Sequence, residues 1–163
     1  SNLSDALRDG EIDALVAYKP PPAYLEGAPN VDRLFVDYEV IEADYARRTG
    51  IFPIMHVIAM RGDVFRENRW IAMNLLKAFT EAKDRAMFRV QEMTATRVPY
   101  AWCYEGAQKA RKLFGDDFFP YGIEPNRTTL EAFLQYGFEQ GVCQRKVEVE
   151  ELFPKEVQAE FRV

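Results

Sequence analysis

Apolar and polar positions recur along this chain with a helical period in several segments. From Trp70 to about Gln91, the residues Ile71, Leu75, Phe79, Ala82 and Ala86 return at three- and four-residue spacing against Lys77, Glu81, Lys83, Asp84 and Arg85. That pattern predicts a long amphipathic helix whose apolar stripe lies in the core. Glu105 to Phe114 predicts a second helix, closed by Gly115. Thr128-Thr129-Leu130-Glu131 has the form of a capping box. A third helix is therefore expected to start there, to present Leu130, Phe133, Leu134 and Phe138 to the core, and to stop at Gly141. Tyr38 to Arg48 is also helical in pattern, with Gly50 placed to end it and with Arg47 and Arg48 in the last turn, where cations oppose the negative end of the helix dipole. Ser4 to Asp9 reads as a helix end with Gly10 as its stop, and residues 154–161 as a short docking helix.

Shorter apolar runs read as strands. Ala14 to Tyr18, bounded by Lys19 and three prolines, suits a buried strand. Pro20 to Pro29 is rich in Pro, Gly and Ala and reads as an ordered crossing loop. Arg33 to Val36 is short and extended. Ile51 to Arg61 is the next expected strand, although Pro53 argues for an edge, a bulge or an irregular start. Unbroken alternation there would put Phe52, Ile54, His56 and Ile58 on one face. Helices with a few strands between them suggest an α/β layer architecture. The strands are too few for a complete doubly wound sheet, which points to truncation.

Composition narrows the classes. With 163 residues and 48% apolar content the chain can build one ordinary domain with a core. Its net charge of −5 comes from interleaved acids and bases, and no Lys/Arg block offers a track for a phosphate backbone, so nucleic acid is not an expected partner. No apolar run approaches the roughly 20 residues needed to cross a bilayer, so no membrane association is expected either. Cys103 and Cys143 lack CxxC spacing and neighbouring histidines, which indicates neither a zinc site nor a disulfide framework. Free thiols fit a cytoplasmic protein without proving one. The opening Ser1-Asn2-Leu3 resembles the remnant of a cleaved tag, and the expectation is a C-terminal fragment of a longer protein.

Two segments are unusual: Thr49-Gly50-Ile51-Phe52-Pro53-Ile54-Met55-His56, which ends on the single histidine, and Gly115 to Arg127 with Phe119-Pro120-Tyr121-Gly122 and Asn126-Arg127 at its heart. Taken in order with Gly10-Glu11-Ile12-Asp13-Ala14-Leu15, Pro21-Pro22 and Arg33-Leu34-Phe35, they resemble the C-terminal half of the 4,5-dihydroxyphthalate decarboxylase family. The resemblance covers nearly the whole chain and is most specific in the last two motifs. It implies a partial fold similar to type 2 periplasmic binding proteins, helix-rich and with few strands. On that reading residues 1–163 are one C-terminal fragment, in which 1–35 finish one lobe and cross back and 36–163 complete the other. It also implies loss of one carboxylate from a dihydroxylated phthalate to give protocatechuate and carbon dioxide, with no metal or organic cofactor. The implied partner is a small aromatic carboxylate. A non-catalytic receptor for a small anionic ligand is the rival on the same scaffold, since fold alone does not fix function.

This chemistry needs an acid for the ring carbon that loses its carboxylate, an acceptor for the para hydroxyl, and cations for the retained carboxylate. His56 is the candidate acid/base, because histidine ordinarily exchanges a proton near neutral pH. A strand histidine bonded to a backbone carbonyl is the competing reading, and the two stand level. Arg48 and Thr49, at the expected helix-to-strand junction, are candidates for carboxylate binding, against a helix-capping role. Lys19 follows the first expected strand, at the kind of strand end where open α/β sheets bind ligands, or is merely solvated. Tyr121, with Phe118 and Phe119, is either an aromatic wall over the substrate ring or a hydrophobic plug. Asp13 either accepts the phenol proton or closes a turn. Exposed surface left by the missing half would also favour a homo-oligomer.

Overall fold

A computed structural model describes residues 2–95 and 97–158. The chain divides into two compact units, Ser1–Glu42 and Ala43–Val163, and the division runs through the third helix.

The first unit holds α1 (Leu3–Arg8), α2 (Pro22–Leu25) and the start of α3 (Tyr38–Thr49). Asn2 caps α1 by accepting the Asp5 N–H at 3.0 Å, and Gly10, at φ +74°, turns the chain away after Asp9, as expected. Pro22 at the first position of α2 loses no helical hydrogen bond, so a helical turn forms within the expected crossing loop. The buried Ser4 hydroxyl accepts the Ala23 N–H at 3.0 Å and ties α1 to α2 around Ala6 and Ala23. Arg33 donates to the Tyr24 hydroxyl at 3.2 Å and lies 4.7 Å from the centre of the Tyr38 ring.

The second unit continues α3 and adds α4 (Gly62–Glu67), α5 (Trp70–Gln91), α6 (Cys103–Phe114), α7 (Arg127–Glu139) and α8 (Val149–Leu152), with 3-10 turns at Glu124–Asn126 and Lys155–Val157. Its core is at the C-terminal end, where Ile123, Leu130, Leu134 and Val149 are buried and Val147 and Phe153 pack against them. Arg127 binds this end together through Glu124, Glu131 and Glu150. A capping box does form, but at α8, where the Glu148 and Glu151 side chains each accept from the other's backbone.

The described residues contain no strand, so the expected α/β fold, and with it the resemblance to a periplasmic binding protein, is corrected to a helical one. The reason is pairing. Ala14–Tyr18 and residues 51–61 have the composition of strands, but a ladder exists only where a second strand offers its N–H and C=O groups. None does so, and Val16, Tyr18, Met55, Val57 and Ile58 are exposed. Residues 33–36 are likewise irregular and exposed.

The helices fall where the periodicity puts them, but their faces do not always match. On α5 only Lys83 is buried, while Ala72, Leu76, Thr80, Met87 and Val90 on the same side are half-buried. The expected stripe holds only at Ile71 and Leu75, for Phe79, Ala82 and Ala86 are exposed. In α7, Leu130 and Leu134 are buried as expected, whereas Phe133 and Phe138 face outward. That helix begins at Arg127, one residue before the expected capping box. The box does not form there, and Thr129 lies buried in the helix. Of the expected 154–161 helix, only a single 3-10 turn is present before residues 159–161, which lie outside the described residues.

Candidate functional site

The two unusual segments meet in the second unit. The backbone N–H of Phe52 donates to the Thr129 hydroxyl at 3.2 Å, across 77 residues of sequence, and an added Cβ on Gly50 would lie 3.9 Å from the Thr128 methyl. Gly50 has φ +67°, a conformation that strains any residue with a side chain, and it reverses the chain so that Phe52 reaches α7. Just before it, Thr49 donates its hydroxyl to the Tyr45 carbonyl at 2.7 Å and accepts the Ile51 N–H at 3.1 Å.

Phe52 then meets Phe114, with ring centres 5.0 Å apart and planes at 71°, and Phe119 at 6.3 Å and 75°. Phe119 in turn meets Tyr121 at 6.3 Å and 62°. All three contacts are edge-to-face, which the ring quadrupoles favour. The turn carrying Phe119 and Tyr121 is held by Asn126, whose amide donates to the Pro120 and Gly122 carbonyls at 2.9 Å each. Gly122, at φ +100°, completes the turn.

Lys83 supports this cluster from α5. Its ammonium lies 2.6 Å from an Asp117 oxygen, 3.0 Å from an Asp84 oxygen and 5.7 Å from the centre of the Tyr121 ring. The other Asp117 oxygen accepts the Phe119 N–H at 3.2 Å, so one carboxylate joins the helix to the aromatic turn. Burial pulls the Lys83 ammonium down, but the hydrogen bonds to Asp117 and Asp84 outweigh it and hold the group above the ordinary lysine range. The charge is therefore permanent at neutral pH and already shared by two carboxylates. It orders the turn rather than waiting for a ligand.

Sequence reading placed Lys83 on the polar side of α5. The signal that could have found it is the spacing Ala72, Leu76, Thr80, Lys83, Met87, Val90, a face of small and apolar residues interrupted by one cation.

Among the candidate residues, the structure brings only Tyr121 into the cluster directly, while Thr49 accepts the Ile51 N–H one residue before Phe52. Arg48 is exposed and paired with Asp44 at 2.8 Å, one turn back on α3. His56 lies four residues beyond Phe52 in the irregular 51–61 segment, exposed and without a hydrogen bond or ion pair among the described residues. Lys19 and Asp13 belong to the first unit, where both are exposed and Lys19 lies 5.6 Å from the centre of its neighbour Tyr18. The described residues hold no group of three or more His, Cys, Asp or Glu able to bind a metal ion, and no helix long and apolar enough to cross a membrane.

No protein-family model matches the chain. It is 32% identical over 151 residues to the 4,5-dihydroxyphthalate decarboxylase of Comamonas testosteroni. The match takes in 93% of this chain and 46% of that protein, so the chain spans about half the length of the curated relative it matches.

Proposed function

We propose that the chain is part of a decarboxylase-like protein that removes carbon dioxide from a dihydroxylated aromatic dicarboxylic acid, 4,5-dihydroxyphthalate being the first compound to test. The observation that carries this reading is the 32% identity to a decarboxylase of that substrate, sustained along 93% of the chain.

In this reaction the hydroxyl para to the departing carboxylate feeds electrons into the ring. The ring carbon bearing that carboxylate takes a proton while the hydroxyl gives up its own to an acceptor. The bond from that carbon to the carboxylate then breaks, its electron pair restores the aromatic ring, carbon dioxide leaves and the hydroxyl regains a proton, giving protocatechuate. His56 is the proposed proton donor, because it is exposed and makes no hydrogen bond among the described residues. Arg48 and Thr49 are the weaker candidates for carboxylate binding, since each is engaged within α3.

The test is carbon dioxide release from 4,5-dihydroxyphthalate, beside a thermal-shift titration with the same compound. Release that is lost in His56→Ala while the thermal shift remains supports both the activity and the histidine's role. A thermal shift without release moves the reading to a solute-binding protein.

A further inference from the structure

We propose that a cavity on the C-terminal half of α5 is the carboxylate subsite of the aromatic acid, with the substrate ring lying on Phe88 and a carboxylate held by Arg89 and Arg97. The inference rests on the proposed function and adds to it the cations that Arg48 does not supply. The cavity has a volume of about 360 Å³ and is lined by Asp84, Arg85, Phe88, Arg89 and Arg97. That volume lies at the small end of the range of about 300–1,000 Å³ usual for small-molecule sites.

Its chemistry is selective. The lining carries three guanidinium groups against one carboxylate, and an exposed phenyl ring stands among them. The carboxylate, Asp84, is spoken for by the buried Lys83 at 3.0 Å. Arg85 is paired with Glu81 at 2.5 Å. Among the described residues Arg89 has no ion pair or hydrogen bond, and Arg97 has none either but interacts through space with Glu92, whose carboxyl is held below its ordinary range chiefly by Thr94.

Compensation of the helix dipole accounts for Arg89 in the last turn of α5, but not for Arg97, which lies beyond the helix and lines the same cavity beside Phe88. Guanidinium groups bind carboxylates in a planar fork and aromatic faces by stacking, and an arene carboxylate offers both surfaces at once. A free phosphate offers only the first. At the edge of the cavity Asp84 meets Lys83, Lys83 meets Asp117, and Asp117 holds the turn that carries Phe119 and Tyr121. Arg89 and Arg97 are therefore assigned as binding residues, and Lys83 as the positioning residue that links the two surfaces.

The experiment is isothermal titration of the whole chain with phthalate, benzoate and inorganic phosphate, with the helical circular-dichroism signal recorded for every variant. Phthalate is expected to bind more tightly than phosphate. The double substitution Arg89→Met with Arg97→Met is expected to weaken phthalate roughly tenfold or more, the usual scale for losing charge-assisted hydrogen bonds. Phe88→Ala is expected to weaken phthalate and benzoate without changing phosphate. Absence of phthalate binding to the unaltered chain, equal affinity in the double variant, or phosphate binding as tight as phthalate would each overturn the subsite. Carbon dioxide release separates the two proposals. Arginine-dependent phthalate binding without turnover keeps the subsite and removes the decarboxylase, whereas turnover indifferent to both arginines removes the subsite and keeps the decarboxylase.

Discussion

Two regions of the second unit begin from similar hydrophobic content and end in opposite conditions. Around α7 and α8, Ile123, Leu130, Leu134 and Val149 pack together and are each at most 6% exposed. In residues 51–61, Ile54, Met55, Val57 and Ile58 are all exposed, Met55 by 75%. The difference is in the backbone. A helix satisfies its own N–H and C=O groups, so α7 can form first and then offer an apolar face to α8 and the turn at Ile123. An extended segment satisfies those groups only against another strand or water. Residues 51–61 find two side-chain acceptors, Thr49 and Thr129, both at their beginning, and no strand partner among the described residues.

The sharpest way to break this comparison is to remove equal volumes from both regions. Leu134→Ala is expected to cost about 2–5 kcal/mol in urea unfolding, since it opens a cavity in the buried cluster of Ile123, Leu130, Leu134 and Val149. Ile58→Ala, at a site 63% exposed, should fall within about 0.5 kcal/mol. Equal losses at both sites would mean that residues 51–61 are packed in solution.

The bridge between the regions is the next target. Thr129→Val removes the acceptor for the Phe52 N–H while keeping the side-chain shape, with an expected loss of about 1–3 kcal/mol and faster hydrogen exchange at the Phe52 amide. Unchanged exchange there would remove the contact as the anchor of this segment.

A smaller effect is expected from acid. The Glu151 carboxyl is held down to about 2, first by hydrogen bonding to Arg145 and then by the Glu148 N–H. A carboxyl depressed in the folded state contributes stability that is present above its unfolded value and lost as pH falls through its folded one. The α8 end should therefore loosen between about pH 4.5 and about pH 2, and Arg145→Gln should move that loosening toward the upper limit. Carboxyl titration by NMR, with and without the substitution, checks the direction. The smallest change should be in self-association. The exposed 51–61 segment is expected to give concentration-dependent dimers in light scattering, and Met55→Ser with Val57→Ser should reduce them.

The helices α3, α5, α6 and α7 were legible because their signals are local. The 3.6-residue period needs no distant partner, and Gly50, Gly115 and Gly141 all take the positive φ that closes a helix. The candidate site was legible only in part. The unusual segments marked Phe52, Phe119 and Tyr121 as worth attention, but nothing in their own residues told that Thr129 would serve Phe52 instead of capping α7, or that Lys83 would turn inward to Asp117.

By itself, then, the sequence determined where the chain turns helical and where glycines end the turns, because those choices are settled within a few residues by backbone hydrogen bonding and steric freedom. Only the tertiary structure decided which helix face is buried, that residues 14–18 and 51–61 remain unpaired, and that two segments 77 residues apart meet at Phe52 and Thr129. Those outcomes depend on what lies across from each residue in space. A partner strand, an opposing carboxylate or a neighbouring helix is not encoded in the spacing of the segment that needs it.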